Sequence, residues 1–261
     1  EECPKCKSFY ISYFGVGTEK VESEISRLFS AARINRMDTD ATTKRGSHKV
    51  ILDNFKSGQT QLLIGTQMIA KGLDFAGVTL VGVVSADSAL HIPDFRSGER
   101  TFSLLTQVAG RAGRGKKPGR VLVQTFTPEH YAIITASKHD YTAFYEKEIE
   151  LRKELHLPPY SHLIKITFRS HSDAKAMESA KKLSELLVET PHWGVSTRGK
   201  KSYMHISGPV VSSIPRLRRQ YRWDVILKAK NAEDANSLLR QVLKDFRKTS
   251  SVKMVVDVDP L

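Results

Sequence analysis

Pro158 and Pro159 stand side by side, removing two backbone donors and fixing two φ angles, so neither a helix nor a centrally paired strand can run through them. The chain is therefore expected to fold as two bodies joined near Leu157-Pro-Pro159. With 261 residues, 40% of them hydrophobic, there is enough chain for two cores. The pattern predicts a first domain over 8–130, a helical linker over 131–160 and a second domain over 161–261.

Before the break, strand-like and helix-like stretches alternate. Phe9 to Phe14 is β-branched and aromatic, and Thr18 is placed to cap a helix running to about Phe29. Ile34 to Met37 reads as a strand, Val50, Ile51 and Phe55 have helical spacing, and Leu62 to Ile64 is apolar. Leu80 to Val84 reads as a buried run, and Val121 to Phe126 as a closing strand. This alternation predicts an α/β domain with a parallel sheet.

After the break the order changes. His162 to Arg169 alternates as a strand, and Met177, Ala180, Leu183 and Leu187 fall on one helical face. Tyr203 to Ser207 and Arg222 to Lys228 read as strands, Ala235 to Phe246 as a helix and Val252 to Val258 as a last strand. The order β-α-β-β-α-β predicts a ferredoxin-like α+β sandwich with an antiparallel sheet.

Charge narrows the function. There are 41 Lys and Arg against 28 Asp and Glu, a formal +13, which points to a polyanionic partner, nucleic acid first. Seven basic residues, Arg198, Lys200, Lys201, Arg216, Arg218, Arg219 and Arg222, occur between 198 and 222 without an acidic one. Tyr221 and Trp223 adjoin them, a pattern suited to tracking and stacking on a single strand or fork. The alternatives are a solvated hairpin, with Trp223 in the core, and a dock for an acidic protein tail.

The stretch Gln107-Val-Ala-Gly-Arg-Ala-Gly-Arg114 carries the chemistry. Arg111 and Arg114 can share one helical face and offer forked, permanent cations of the kind that stabilise phosphoryl transfer. Gly110 before them and Gly113 between them would let another surface or a nucleotide approach; the plainer reading is a basic helix end. The phosphate loop G-x-x-x-x-G-K-[ST] does not occur in these residues. Gly65-Thr66-Gln67 follows an apolar strand, where open α/β sheets bind ligands, although Thr66 is equally suited to capping a helix. Asp38 and Asp40 read as loop-bonding carboxylates, because no His or third carboxylate adjoins them.

Gln107 to Arg114 resembles the last conserved motif of superfamily 2 helicases, and Leu63-Ile-Gly-Thr-Gln-Met-Ile-Ala-Lys-Gly-Leu-Asp74 resembles the motif before it. Together with Gly15-Val-Gly-Thr-Glu19, Arg36-Met-Asp-Thr-Asp40, Pro93-Asp-Phe-Arg-Ser-Gly-Glu-Arg100 and Val256-Asp-Val-Asp-Pro260, they make the chain similar to the PriA family of bacterial replication-restart helicases. The resemblance implies the C-terminal portion of an ATP-dependent 3′-to-5′ DNA helicase that reloads replication at stalled forks. It implies a RecA-like second lobe without its own phosphate loop, so these residues alone are not expected to hydrolyse ATP.

By the same resemblance, Arg111 and Arg114 would face the γ-phosphate and Gln107 would position the nucleotide or its water. Gly72, Asp74 and Gly110 would lie near ATP and its Mg2+, and Gly65, Thr66 and Gln67 would touch the DNA backbone. Asp94, Arg96, Glu99 and Arg100 match the family's lead-in and are expected to bond lobe elements. Cys3 and Cys6, in Cys-Pro-Lys-Cys at residues 1–7, would be the last pair of a cysteine-rich Zn2+ module; two of four tetrahedral ligands is half a site. Implied partners are forked and single-stranded DNA, primosome proteins and the tail of single-stranded-DNA-binding protein. The opening Glu-Glu-Cys suggests a piece of something longer. No apolar run reaches the roughly 18 residues that span a bilayer, so a bacterial cytoplasmic location is expected. The other function class is a nucleic-acid-binding module without motor activity.

Overall fold

The computed structural model describes residues 17–38, 47–69, 75, 77–113, 118–190, 204–247 and 249–260. Contacts divide the chain into two units, Glu1–Lys147 and Glu148–Leu261. No helix among the described residues is long and apolar enough to cross a membrane.

In the first unit, helix α1 (Thr18–Leu28) leads to strand β1 (Ile34–Met37), helix α2 (Ser47–Lys56) to strand β2 (Leu62–Gly65), and β1 and β2 pair in parallel. Thr18 is the first helical residue rather than the cap. Gly17 holds the cap position without a side-chain bond, and the Thr18 hydroxyl donates instead to buried Asp38 just past β1. Arg36 Nε also reaches Asp38 at 3.0 Å, so Asp38 bonds the loop as expected; Asp40 lies outside the described residues.

Strand β3 (Leu80–Val83) pairs in parallel with β4 (Arg120–Val123). The fully buried run expected at Leu80 to Val84 is not found, for Leu80 is 57% and Val84 42% exposed. Burial in this pair is one-sided. Val83 and Val123 pack on the core, while Leu80 and Leu122 stand outward. That core forms around α3 (Asp87–Leu90), α4 (Ser97–Ala109), α5 (Tyr131–Ser137) and α6 (Tyr141–Glu154), with Phe102 stacked on Phe144 at 4.3 Å. Residues read as linker thus supply Ala132, Ile133, Ala136 and Phe144 to this core.

Helix α6 stops before the prolines do the stopping. Leu157 N–H donates to Arg152 O and His156 N–H to Lys153 O, with His156 at φ 50, which is a Schellman closure. The chain then enters β5 (His162–Ser170).

The second unit runs β5, α7 (Asp173–Glu189), β6 (Met204–Leu217), β7 (Gln220–Ala229), α8 (Ala232–Asp245), β8 (Lys253–Val258). Its sheet order is β6-β7-β5-β8 and all three pairings are antiparallel. Ile164, Ile166 and Phe168 of β5 meet Val225, Leu227 and Ala229 of β7 beneath Leu183 and Leu187 of α7 and Leu238 and Leu239 of α8. Met177 is not on that face and is 41% exposed; Ala176, Ala180, Leu183 and Leu187 make the buried stripe. Strand β6 is nearly three times the length expected from Tyr203 to Ser207. It continues through Pro209 and Pro215 because it is an edge strand, where a missing N–H faces no partner, and its register shifts after Ser207 and after Val211.

Candidate functional site

The motif residues of the first unit lie at the end of α4. Gly98, Thr101, Phe102, Leu105 and Val108 are the buried stripe of that helix, and half-buried Gln107 stands off it in the last turn. The helix ends at Ala109, with Gly110 as its C-cap donating to Thr106 O and Val108 O. Arg111 therefore does not extend the helix. It sits half-buried in the following turn, its N–H on Val108 O at 3.0 Å. The expectation that helical spacing would align Arg111 with Arg114 is not met at Arg111, and Arg114 lies outside the described residues.

The glycines of the motif also do something other than expected. Gly113, at φ +78, donates to Val78 O, and a Cβ on it would lie 2.7 Å from Gly119 N. A Cβ on Gly119 would lie 2.2 Å from Gly113 N. The close approach is to the chain's own backbone, which pins the turn after Arg111 against the entry to β4. Among the described residues, its chain neighbours aside, the nearest heavy atoms to a Cβ built on Gly110 are the carbonyl oxygens of Gln107 and Thr106 at 3.6 Å.

The lead-in to α4 is a clamp. Asp94 accepts from Arg96 N at 2.9 Å, Nε at 3.1 Å and Nη2 at 3.0 Å, and pairs with Arg100 Nη1 at 3.0 Å. Burial alone would raise its pKa, but the Arg96 hydrogen bonds and the charges of Arg96 and Arg100 outweigh that and hold it below the usual value. These bonds of Asp94 are local to 94–100. Asp87, 1% exposed, takes the N–H of Phe126 and the hydroxyls of Thr125 and Thr127, fixing the exit of β4 against α3.

Gly65 closes β2 beside Met37, whose carbonyl would lie 2.4 Å from any Cβ there. Exposed Thr66 and Gln67 follow, and Thr66 O accepts from Ile69 N in the 3-10 turn Gln67–Ile69. Since β1 and β2 are parallel, Asp38 and Thr66 emerge on the same, C-terminal edge of the pair. Gly72, Asp74, Cys3, Cys6, Arg198, Lys200 and Lys201 lie outside the described residues. Among the described residues no group of three or more His, Cys, Asp or Glu could hold a metal.

In the second unit the basic run forms a hairpin. Leu217 pairs with Gln220, and the two-residue loop is Arg218 and Arg219, both left-handed at φ 50 and 63. Arg216, Arg218 and Arg219 are exposed. The Arg216 guanidinium lies 4.9 Å over the Tyr221 ring, and Arg219 O bonds His171 Nδ1 at 3.2 Å. Trp223 packs on the core and donates Nε1–H to Asp173 at 2.8 Å, which is the core role weighed above. Half-buried Arg222 turns to the opposite face of the sheet, opposite Arg169 of β5.

Two families match these two units. The helicase conserved C-terminal domain matches residues 11–116 and the primosomal protein N C-terminal domain matches residues 153–261. Replication restart protein PriA of Bacillus subtilis is 44% identical over 261 residues, 99% of the chain and 31% of that protein. Those of Synechocystis and Chlamydia pneumoniae are 39% and 36% identical, over 99% and 100% of the chain and 30% and 34% of their own lengths. The chain thus spans about a third of the length of these relatives.

Proposed function

The chain belongs to the PriA family of replication restart proteins, and from that premise we propose that it is the second motor lobe and C-terminal arm of an ATP-dependent 3′-to-5′ DNA helicase acting at stalled forks. Similarity to replication restart proteins across both units is the observation that carries this reading.

In this reading residues 8–130 are the RecA-like lobe of a superfamily 2 motor, 131–160 the connection and 161–261 a ferredoxin-like domain. The order β6-β7-β5-β8 with two helices on one face supports the last assignment. Arg111 and Arg114 stabilise the charge that gathers on a γ-phosphate, Gln107 orients the nucleotide or its water, and Gly110, Gly72 and Asp74 border ATP and Mg2+. The pinned turn after α4 supports Arg111 in that role, because a charge-stabilising cation must be held in place before the reaction. The phosphate loop belongs to a different lobe, and these residues by themselves do not turn over ATP. Gly65, Thr66 and Gln67 contact the DNA backbone at the strand edge. Cys3 and Cys6 contribute half of a zinc site. Arg198, Lys200, Lys201, Arg216, Arg218, Arg219 and Arg222 contact forked or single-stranded DNA, with the tail of single-stranded-DNA-binding protein as the competing occupant. Primosome proteins are the further partners, and the bacterial cytoplasm the place of action.

The test is Arg114→Ala in the full-length protein that carries this sequence. Loss of an arginine of this kind costs several powers of ten in rate, so ATPase activity should nearly vanish while DNA binding stays close to normal. Near-normal turnover refutes the assignment and favours a nucleic-acid-binding module without motor activity.

A further inference from the structure

Three cations stand in one row across the C-terminal sheet. Arg169 of β5 is paired with Arg222 of β7 on one side and with Lys253 of β8 on the other. Directly paired residues of antiparallel strands project to the same face. This is the face turned away from α7 and α8, because the preceding register row, Phe168, Trp223 and Met254, belongs to or packs against the core. Neighbouring strands lie roughly 4.8 Å apart, so the row spans about 10 Å.

Such a row works against the fold. Like charges directly opposite each other destabilise a sheet. The Nε atoms of both Arg169 and Arg222 are, in addition, buried without a hydrogen-bond partner among the described residues. The carboxylate nearest along this face, Asp224, is engaged elsewhere: Lys165 Nζ lies 3.1 Å from its Oδ2 and Thr167 Oγ1 donates to its Oδ1 at 2.7 Å. Asp257 is in register with Lys165, two same-face steps from Lys253. The core is made by the opposite face and asks for no cation at 169, 222 or 253.

We propose that Lys253, Arg169 and Arg222 form a seat for consecutive phosphodiester groups of a single nucleic-acid strand along the sheet face turned away from α7 and α8. The proposal rests on the reading of this domain as a nucleic-acid contact and moves the contact from the hairpin tip to the sheet face. Two of its residues, Arg169 and Lys253, lie outside the basic run of the sequence. A single strand carries one phosphate charge per nucleotide, so adjoining cations in a row about 10 Å long face a short run of consecutive phosphates. Arginine forks bind phosphate oxygens in pairs, and the adjoining lysine supplies a point charge.

The experiment is fluorescence-anisotropy titration of this chain with a labelled single-stranded oligonucleotide over a salt series. The wild type is measured beside R169Q/R222Q/K253Q and beside a tip variant, R216A/R218A/R219A. Each phosphate contact on a single strand adds about 0.7 to the salt slope, so the row variant should lose about 2 units. A roughly fourfold rise in salt then weakens the wild type about 20-fold more than the row variant. The row variant should also melt at or above the wild-type temperature, which separates lost binding from lost folding. An unchanged slope in the row variant, with binding lost in the tip variant, overturns the seat and leaves the nucleic-acid reading standing. Absence of single-strand binding by the wild type overturns both. A row variant that keeps the oligonucleotide but loses an acidic peptide overturns the seat in favour of a protein partner. One that melts below the wild type shows the row serving the fold, which overturns it as well.

Discussion

Asp224 is the carboxylate that the C-terminal sheet can least spare, and Asp224→Ala measures it. The residue is 2% exposed, accepts a 2.7 Å hydrogen bond from Thr167 Oγ1 and faces Lys165 Nζ at 3.1 Å. A hydrogen bond to a charged group is worth about 1.5–3 kcal/mol, and this one lies in the interior. The Lys165 side chain is 27% exposed and can turn its ammonium toward water, so its share is discounted to about 1 kcal/mol or less. The loss also leaves Lys165 beside Arg169 and Arg222 without the negative charge between them. The expected cost is about 2–4 kcal/mol. Both tryptophans, Trp193 and Trp223, fall in the unit that starts at Glu148, so their fluorescence during urea unfolding reads that unit alone. With a slope of about 1–3 kcal/mol per molar urea, the midpoint should fall by about 1–2 M. The double substitution K165M/D224L, which replaces the pair by apolar groups, should recover most of the loss. A midpoint shift under about 0.5 M for Asp224→Ala, or strictly additive single and double changes, refutes the reasoning.

Two further outcomes are expected in the first unit. Burial alone would raise the pKa of Asp87, but the hydrogen bonds from Thr125, Phe126 N–H and Thr127 outweigh it and lower the value. Its stabilising contribution is therefore complete above the unfolded carboxylate value and is lost as pH falls through the lower folded one. Asp87→Asn should cost about 2–4 kcal/mol near neutrality and flatten the acid side of a calorimetric stability profile; an unchanged acid side contradicts this. Gly119→Ala places a methyl 2.2 Å from Gly113 N and 2.4 Å from Ala112 C, a clash with backbone that no rotamer relieves. Hydrogen exchange should show the Gly113 amide, bonded to Val78 O at 3.0 Å, losing protection, and retained protection would show that the turn yields without cost.

The sequence was most legible where periodicity and pairing agree. Ile34 to Met37 is a strand at its expected bounds, and Ile164, Ile166 and Phe168 alternate into a core as their spacing implies. It was least legible where tertiary context overrides a local rule. The expected strand Tyr203 to Ser207 stops short of Gly208, Pro209 and Pro215, yet β6 passes through them because only one of its sides is paired. Gly113 reads as clearance for a ligand, while its small size, like that of Gly119, serves a contact between two stretches of backbone that no single window contains. For the same reason Arg169 and Lys253 went unseen as partners of Arg222. They are 53 and 31 residues away along the chain, and only sheet register aligns them. The strand assignment at Phe9 to Phe14 and several site residues lie outside the described residues.

The central place of β5 sets a timetable for synthesis. Its apolar face is completed by β7, some 60 residues later, and by β8, about 90 residues later, for Ile164 pairs with Leu227 and with Val258. A ribosome adding about 5–20 residues per second takes roughly 5–20 s to supply that last partner. Until then Ile164, Ile166 and Phe168 belong to a strand with an open edge, the kind of surface that recruits chaperones or neighbouring nascent chains. The second unit is thus late to close, and its yield in the cell should depend on translation rate and chaperone supply more than that of the first, whose β1 finds β2 within about 30 residues.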